Sequence, residues 1–392
     1  MLWSRSLSVC KSVQLIWPVL GLVGLLLTEG SLGCRYNVRE TGFVDTGLQP
    51  FVVVCFVNEQ TPQGFREQFL RTAETVLVDS NVTFELVDVD YQPEHPAMAY
   101  SGDMSGYSLP SLVLVSPERS ISSVPIELKI DGSSAEVQTR LQRIVSTPFR
   151  EELVKLLAKH YAIVLLVHGS DTAMNQRKQR SIRKALSGIQ RQMRFMPKAI
   201  SYGPELMMLD EDTQRVEGTL LWSLGIKDAL GSGPYAAVLY GKGRWLGPLL
   251  QNEEIEEERL TQLLAIVGAD CECGLDPRLM RGRPLPLRWN RAVHTQVVED
   301  LGFDPENPMV RIEVSQIMRM RASLYSENIT ERRLAGNDDI PIPFVEDIAA
   351  EQSVSVLRDP VTMSVFFSVA GLGILAIIVG LSIMMKAKRN NS

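Results

Sequence analysis

Residues 51–57 read FVVVCFV, an unbroken apolar run with valine at four of its seven positions. A strand with one wet face alternates apolar and polar residues, so a continuous run of this kind belongs to a strand covered on both faces. Such a strand needs a packing layer above and below it, which points to an α/β architecture. A polar loop, NEQTPQG (58–64), follows the run. Phe65, Phe69, Ala73 and Val76 then recur at helical spacing and predict an amphipathic helix. VTFELVDVD (82–90), LPSLVLVSP (109–117) and VPIELKI (124–130) read as strands, and Val137, Leu141 and Ile144 mark a closing helix.

A second pass of the same pattern starts at Ala162. AIVLLVHG is a strand, and Ile182, Leu186, Ile189 and Met193 set the stripe of the helix after it. AISYGPELMML (199–209) holds a further strand, and a helix is expected near Gly218–Leu230. SGPYAAVLYGKGRWLGPLL (232–250) gives a strand, a Gly-Lys-Gly turn and a second strand. IEEERLTQLLAIVG closes the pass, with Leu260, Leu263, Leu264 and Val267 inward and a run of acids at its start, where they suit the helix dipole.

The first pass resembles the thioredoxin family beyond its element order. VDVDYQP (87–93) is similar to that family's strand ending in an acidic residue and a proline-containing turn. GYSLPSLVLVSPE (106–118) is similar to its segment in which a cis-proline precedes a central strand. The resemblance makes Pro110 the cis-proline, with Pro234 in its place in the second pass. It implies two thioredoxin-like domains in tandem, residues 34–148 and 149–270. It also exposes a departure. In the family the first strand leads into C-x-x-C at a helix N-terminus, which lowers the first thiol's pKa and makes it nucleophilic. Here the aligned residues are Gln60-Thr61-Pro62-Gln63, and Asp171-Thr172-Ala173-Met174 in the second copy. Without thiols, dithiol–disulfide exchange is excluded at both places, so both copies are expected to be redox-inactive. Cys55 lies inside the first strand and reads as a small buried hydrophobe.

The termini carry two further apolar blocks. Arg5 and Lys11, then VQLIWPVLGLVGLLL, then small residues at Ser31 and Gly33 have the layout of a signal peptide over residues 1–33. Lipidation of Cys34 is the competing reading. Residues 361–385 contain no charge and are followed by Lys386, Lys388 and Arg389. They predict a transmembrane helix with a cytoplasmic tail at 386–392. The expected architecture is thus a single-pass type I protein of the cell membrane, with residues 34–360 outside the cytoplasm. Residues 271–360 are expected to be an Arg/Pro-rich juxtamembrane segment containing a helix over 311–334.

The cysteines beyond Cys55 are Cys10, inside the expected leader, and Cys34, Cys271 and Cys273. A disulfide from Cys34 to the C-x-C would pin the N-terminal arm beside the second domain; a soft-metal site or a redox pair are the alternatives. A formal charge of −6 gives no basis for nucleic-acid binding by the chain as a whole. Gly241-Lys242-Gly243 lacks the following helix that a phosphate loop needs and reads as a hairpin turn. Asn81-Val-Thr and Asn328-Ile-Thr are glycosylation sequons. No residue is assigned a catalytic role, and neither a cofactor nor a small-molecule substrate is expected.

The favoured function is a binding or scaffold protein that holds a secretory or envelope protein. The resemblance implies a groove formed by Gln60, Pro62, Gln63, Tyr107, Leu109 and Pro110, where a partner chain pairs through its backbone. The alternative is a thiol oxidoreductase or metal-handling protein working through Cys271 and Cys273.

Overall fold

The computed structural model describes residues 35–319, apart from 105–108, 118–123, 128–133, Pro197, Ala199 and 271–280. The chain divides into two units, Met1–Ile329 and Thr330–Ser392, and the second lies wholly outside the described residues. The run at 51–57 forms β1 (Phe51–Val57). β1 runs parallel to β2 (Val82–Asp88) and antiparallel to β3 (Ser111–Val115); β4 (Val124–Glu127) is antiparallel to β3. The sheet order is β2-β1-β3-β4, so β3 alone runs against the others. Side chains alternate across β1. Phe51, Val53, Cys55 and Val57 enter one core with Phe69, Ala73 and Val76 of α1 (Gln63–Leu77) and Val137, Leu141 and Ile144 of α2 (Ser134–Val145). Val54 and Phe56 face the opposite way, onto Ala97 in the 3₁₀ segment Pro96–Met104. The apolar run is therefore covered on both faces, as its composition requires.

A helix absent from the sequence-based expectation, α3 (Pro148–Lys159), leads to the second sheet. There β5 (Ile163–Val167) is parallel to β6 (Glu205–Leu209) and antiparallel to β7 (Tyr235–Tyr240). β8 (Arg244–Gln251) and a two-residue β9 (Arg283–Pro284) complete the order β6-β5-β7-β8-β9. α4 (Thr172–Gln192) and α5 (Glu257–Val267) pack together against this sheet. The Gly-Lys-Gly stretch is a hairpin turn in which Gly241 and Gly243 take φ of 53° and 69°. A Cβ on Gly241 would stand 2.3 Å from the Gly42 carbonyl carbon, so the N-terminal arm can close on this turn only over a glycine.

Of the Arg/Pro-rich segment expected over 271–360, residues 281–319 are part of the fold. Leu285 and Leu287 are fully buried in the second core. The Leu285 N–H donates to Gly243 O at 2.9 Å, the Arg288 N–H to Val145 O at 3.1 Å and the Trp289 N–H to Asp79 O at 2.6 Å. The strap thus touches both sheets. It continues into α6 (Arg291–Leu301), capped by Asn290, which packs on α3, and residues 308–319 are again helical.

The membrane-anchored, single-pass architecture expected from the sequence is corrected: among the described residues no helix is long and apolar enough to cross a membrane. Residues 1–33, 361–385 and 386–392, which carry the expected leader, span and tail, lie outside the described residues, as does Cys34. The fold is mixed α/β, built on the two sheets.

Candidate functional site

Phe56 pairs with Ser111, which sets Pro110 beside the end of β1, where the chain turns toward α1. The Leu109–Pro110 peptide is cis, as the resemblance implied; Gly233–Pro234, its expected counterpart, is trans. Between β1 and α1 the backbone is braced from within. Thr61 Oγ donates to Asn58 Oδ1 at 2.9 Å, and Arg66 Nη2 donates to Asn58 O at 2.6 Å. The same guanidinium pairs with Asp88 at 2.7 Å, at the end of β2. Asp88 is thus a buried, paired carboxylate. Burial works against its ionisation. The Arg66 hydrogen bond and the N–H groups of Asp90 and Tyr91 outweigh that and hold its carboxyl below the ordinary range. Asp90 in turn accepts the Glu59 N–H at 2.8 Å.

The outcome is a fixed rim. Thr61 points inward and is buried, while Gln60, Pro62 and Gln63 are exposed, with Leu109 half-buried and Pro110 buried across from them. Pro62 supplies no side-chain cap to α1. Tyr107, the remaining member of the expected groove, lies outside the described residues. Cys55 is free and fully buried. Burial pushes its thiol far up, so it stays protonated and has no route to a substrate. Among the described residues, then, this rim carries no thiol.

The corresponding corner of the second sheet is closed. Asp171 caps α4 by accepting the N–H groups of Ala173 and Met174. Asn175 holds Gly169 by both its amide oxygen and its amide nitrogen, at 2.9 and 2.7 Å. A Cβ on Gly169 would meet the Gly233 backbone at 2.5 Å, so the loop before β7 lies directly on the loop after β5. His168 has its pKa lowered by burial, against a smaller opposing pull from Asp210. Cys271 and Cys273, the expected disulfide or metal candidates, lie outside the described residues, and no group of three or more His, Cys, Asp or Glu able to hold a metal occurs among the described ones.

Two features that sequence reasoning passed over bind the unit together. Arg150 (1% exposed) meets Glu217 (0% exposed) at 3.0 Å, off the direction of a hydrogen bond but well within ion-pair range. Arg150 also donates to the carbonyls of Arg143, Ile144 and Pro286, and Thr147 Oγ donates to Glu217. Asn81 supplies the second feature. Its Nδ2 donates to Leu285 O at 2.8 Å, and its Oδ1 accepts the Leu287 N–H at 3.0 Å, so one side chain pairs with the strap as a strand would.

No family model matches the chain, and no curated protein does. Among solved structures, the human ERp44 zinc-bound form aligns at 9% identity over 59% of this chain and 60% of that one, with a TM-score of 0.22. The first two thioredoxin domains of Saccharomyces cerevisiae Eps1p align at 10% identity over 60% and 98%, TM-score 0.21. ERdj5 form II aligns at 11% identity over 55% and 27%, TM-score 0.20. The chain thus spans less than two thirds of the ERp44 and ERdj5 chains it matches. Likenesses this distant carry no function across. The first sheet's order, with its two parallel strands, its single reversed strand and both helices α1 and α2 on one face, makes the fold thioredoxin-like.

Proposed function

We propose that the chain is a thioredoxin-like binding protein that holds an extended polypeptide segment against the rim of Gln60, Pro62, Gln63, Leu109 and Pro110, without thiol exchange at that place. The observation that carries the reading is the rim itself: exposed, braced by Arg66 and Asp88, half apolar through Leu109, and free of any thiol among the described residues. A braced rim costs a partner little ordering energy on its side of the contact. An extended chain lying beside Pro110 would gain backbone hydrogen bonds, with Leu109 and Pro62 as its apolar contacts.

The test uses a reduced, carboxymethylated protein as an unfolded probe, followed by fluorescence anisotropy, alongside reduction of insulin disulfides. The expected result is binding that Leu109→Asp weakens about tenfold while circular dichroism stays unchanged. Insulin reduction is expected to be absent. Binding equal in Leu109→Asp removes the rim from the function. Insulin reduction that disappears in a Cys271→Ser, Cys273→Ser variant moves the function to the alternative carried by Cys271 and Cys273.

A further inference from the structure

Arg244 is 3% exposed and stands at the start of β8, opposite Pro284 of the strap. Its Nη1 donates to Arg281 O at 3.2 Å and its Nη2 to Val44 O at 2.7 Å. A guanidinium has five N–H groups, so three are left without an acceptor among the described residues. No carboxylate among those residues lies within ion-pair distance of it. Burial lowers its pKa, with Tyr240 and Asp45 opposing. A buried cation held by carbonyls alone is costly, and an anionic partner would offset that cost.

Arg244 lines a cavity of about 430 Å³ between the N-terminal arm, the hairpin turn and the strap, a volume suited to a small molecule. Its charged lining is Asp45, Asp79, Lys242, Arg244 and Glu306. Two of the acids are already taken, Glu306 by Lys242 at 2.9 Å and Asp45 by Arg311 at 3.3 Å. The buried Arg244 and the exposed Asp79 are left without an ion partner among the described residues. Leu48, Pro50, Pro284 and Trp289 supply apolar wall. Charge then decides among ligands. A dianion such as phosphate would meet three carboxylates around the cavity, and a polyamine would meet Lys242 and Arg244. A zwitterion matches both residual charges. Length decides next. Arg244 stands opposite Pro284, and the Asp79 carbonyl accepts from Trp289, five residues on along the strap. Five extended residues bound the separation of the two positions at roughly 16–18 Å. A peptide of two or three residues extends about 7–11 Å, and hydrogen bonds of about 3 Å at its two ends bring its reach to a comparable length. A single amino acid, with both charges on one carbon, bridges far less.

We propose that this cavity binds a free peptide of two or three residues with a large apolar side chain. Its C-terminal carboxylate pairs with Arg244 and its N-terminal ammonium with Asp79, while Leu48 and Trp289 supply apolar contact. Pro50 precedes β1 and the rim of Gln60, Pro62 and Gln63 follows it, so the cavity lies at the opposite end of that strand and is independent of the rim.

The experiment uses the full chain in calorimetric titrations with two free peptides, Leu-Phe and Ala-Leu-Phe. Saturable binding of at least one is expected. Acetylating the N-terminus or amidating the C-terminus should each weaken it about tenfold or more. Arg244→Gln should erase the effect of amidation. Asp79→Asn should erase the effect of acetylation, and asparagine tolerates the φ of 62° at that position. Leu109→Asp, at the rim, should leave binding of these peptides unchanged. Circular dichroism establishes that each variant is folded; if Arg244→Gln misfolds, Asp79→Asn and the blocked peptides carry the test. Binding of neither peptide overturns the proposal, as does equal binding of the free and blocked forms. An acetylation effect that persists in Asp79→Asn overturns it as well. Inorganic phosphate binding more tightly than either peptide overturns it in favour of a simple anion site.

Discussion

Arg150 and Glu217 show how much one side chain can organise. Each ion is deeply desolvated, which is costly, and the pair is sustained with the help of the three carbonyls, of Arg143, Ile144 and Pro286, that accept from Arg150. Burial lowers the Arg150 pKa from its ordinary value, with Glu217 opposing, so the pair depends on both members remaining together. Glu217→Gln should therefore cost about 3–5 kcal/mol, and the double change Arg150→Met, Glu217→Leu should recover much of that loss. Urea unfolding midpoints measure both; a single variant as stable as the parent would mean the pair is hydrated. Asp88 makes a prediction of a different kind. Its folded pKa is depressed, so its stabilising contribution is complete above the unfolded carboxylate pKa of about 4 and is lost as pH falls through the folded value. Asp88→Asn should lose about 1–3 kcal/mol near neutrality and show a shallower decline than the parent as pH falls below about 4. Parallel declines in parent and variant would place the acid sensitivity elsewhere.

The elements divide by whether their cause is local. The buried strands β1 and β5 and the stripes of α1, α4 and α5 are legible because periodicity reports burial directly. Helix α3 was equally legible. Thr147 caps it by accepting the Arg150 N–H, Pro148 stands in its first turn, and Leu153, Val154, Leu157 and Ala158 line its buried face. α6 has the same kind of signal in Asn290 and in Gly302, which ends it at φ 73°. α3 fell at the expected boundary between the two domains, and the arginines and prolines around α6 drew attention away from its caps. The strap was not legible, because its place depends on Asn81, some two hundred residues earlier in the chain. Asn81 also lies in a sequon, and its Nδ2 is already committed to Leu285 O. Peptide mapping after expression in a glycosylating host should find Asn81 unmodified; a glycan there would mean the strap does not dock. Asn81→Leu should raise hydrogen exchange across Arg283–Trp289. The N-terminal arm makes a parallel case. Asn37 and Asp270 form an antiparallel bridge, and the Val38 N–H donates to Ala269 O at 3.0 Å. Cys34 and the C-x-C lie close to those pairings in sequence, outside the described residues. Non-reducing peptide mapping of the oxidised chain should recover a crosslink from Cys34 to Cys271 or Cys273, and all three thiols alkylating freely in the native, oxidised protein would refute it.

At the scale of the molecule, the two sheets are held by contacts that sequence periodicity cannot report, since each joins residues far apart in the chain. Arg39 donates to the carbonyls of Ala158 and His160 at the end of α3, and Arg244 reaches from the second sheet to Val44 O at 2.7 Å. Trp222 packs against Phe51 with ring centres 6.2 Å apart, joining the cores of the two sheets. The strap adds Leu285 and Leu287, each worth about 1.5–3 kcal/mol of burial, at a place bonded to both sheets. Two thioredoxin-like folds joined only by a tether would unfold independently; with these contacts the described unit should unfold as one. Tryptophan fluorescence and far-UV circular dichroism should then give coincident urea transitions in the intact chain. Leu285→Asp should separate them, because an unpaired carboxylate at that position expels the strap and leaves each sheet to its own core. The first sheet, which loses Asn81's partners and the contact through Arg288, should unfold at the lower urea concentration. Separate transitions in the unaltered chain would show that the strap and arm position the two sheets without coupling their stability.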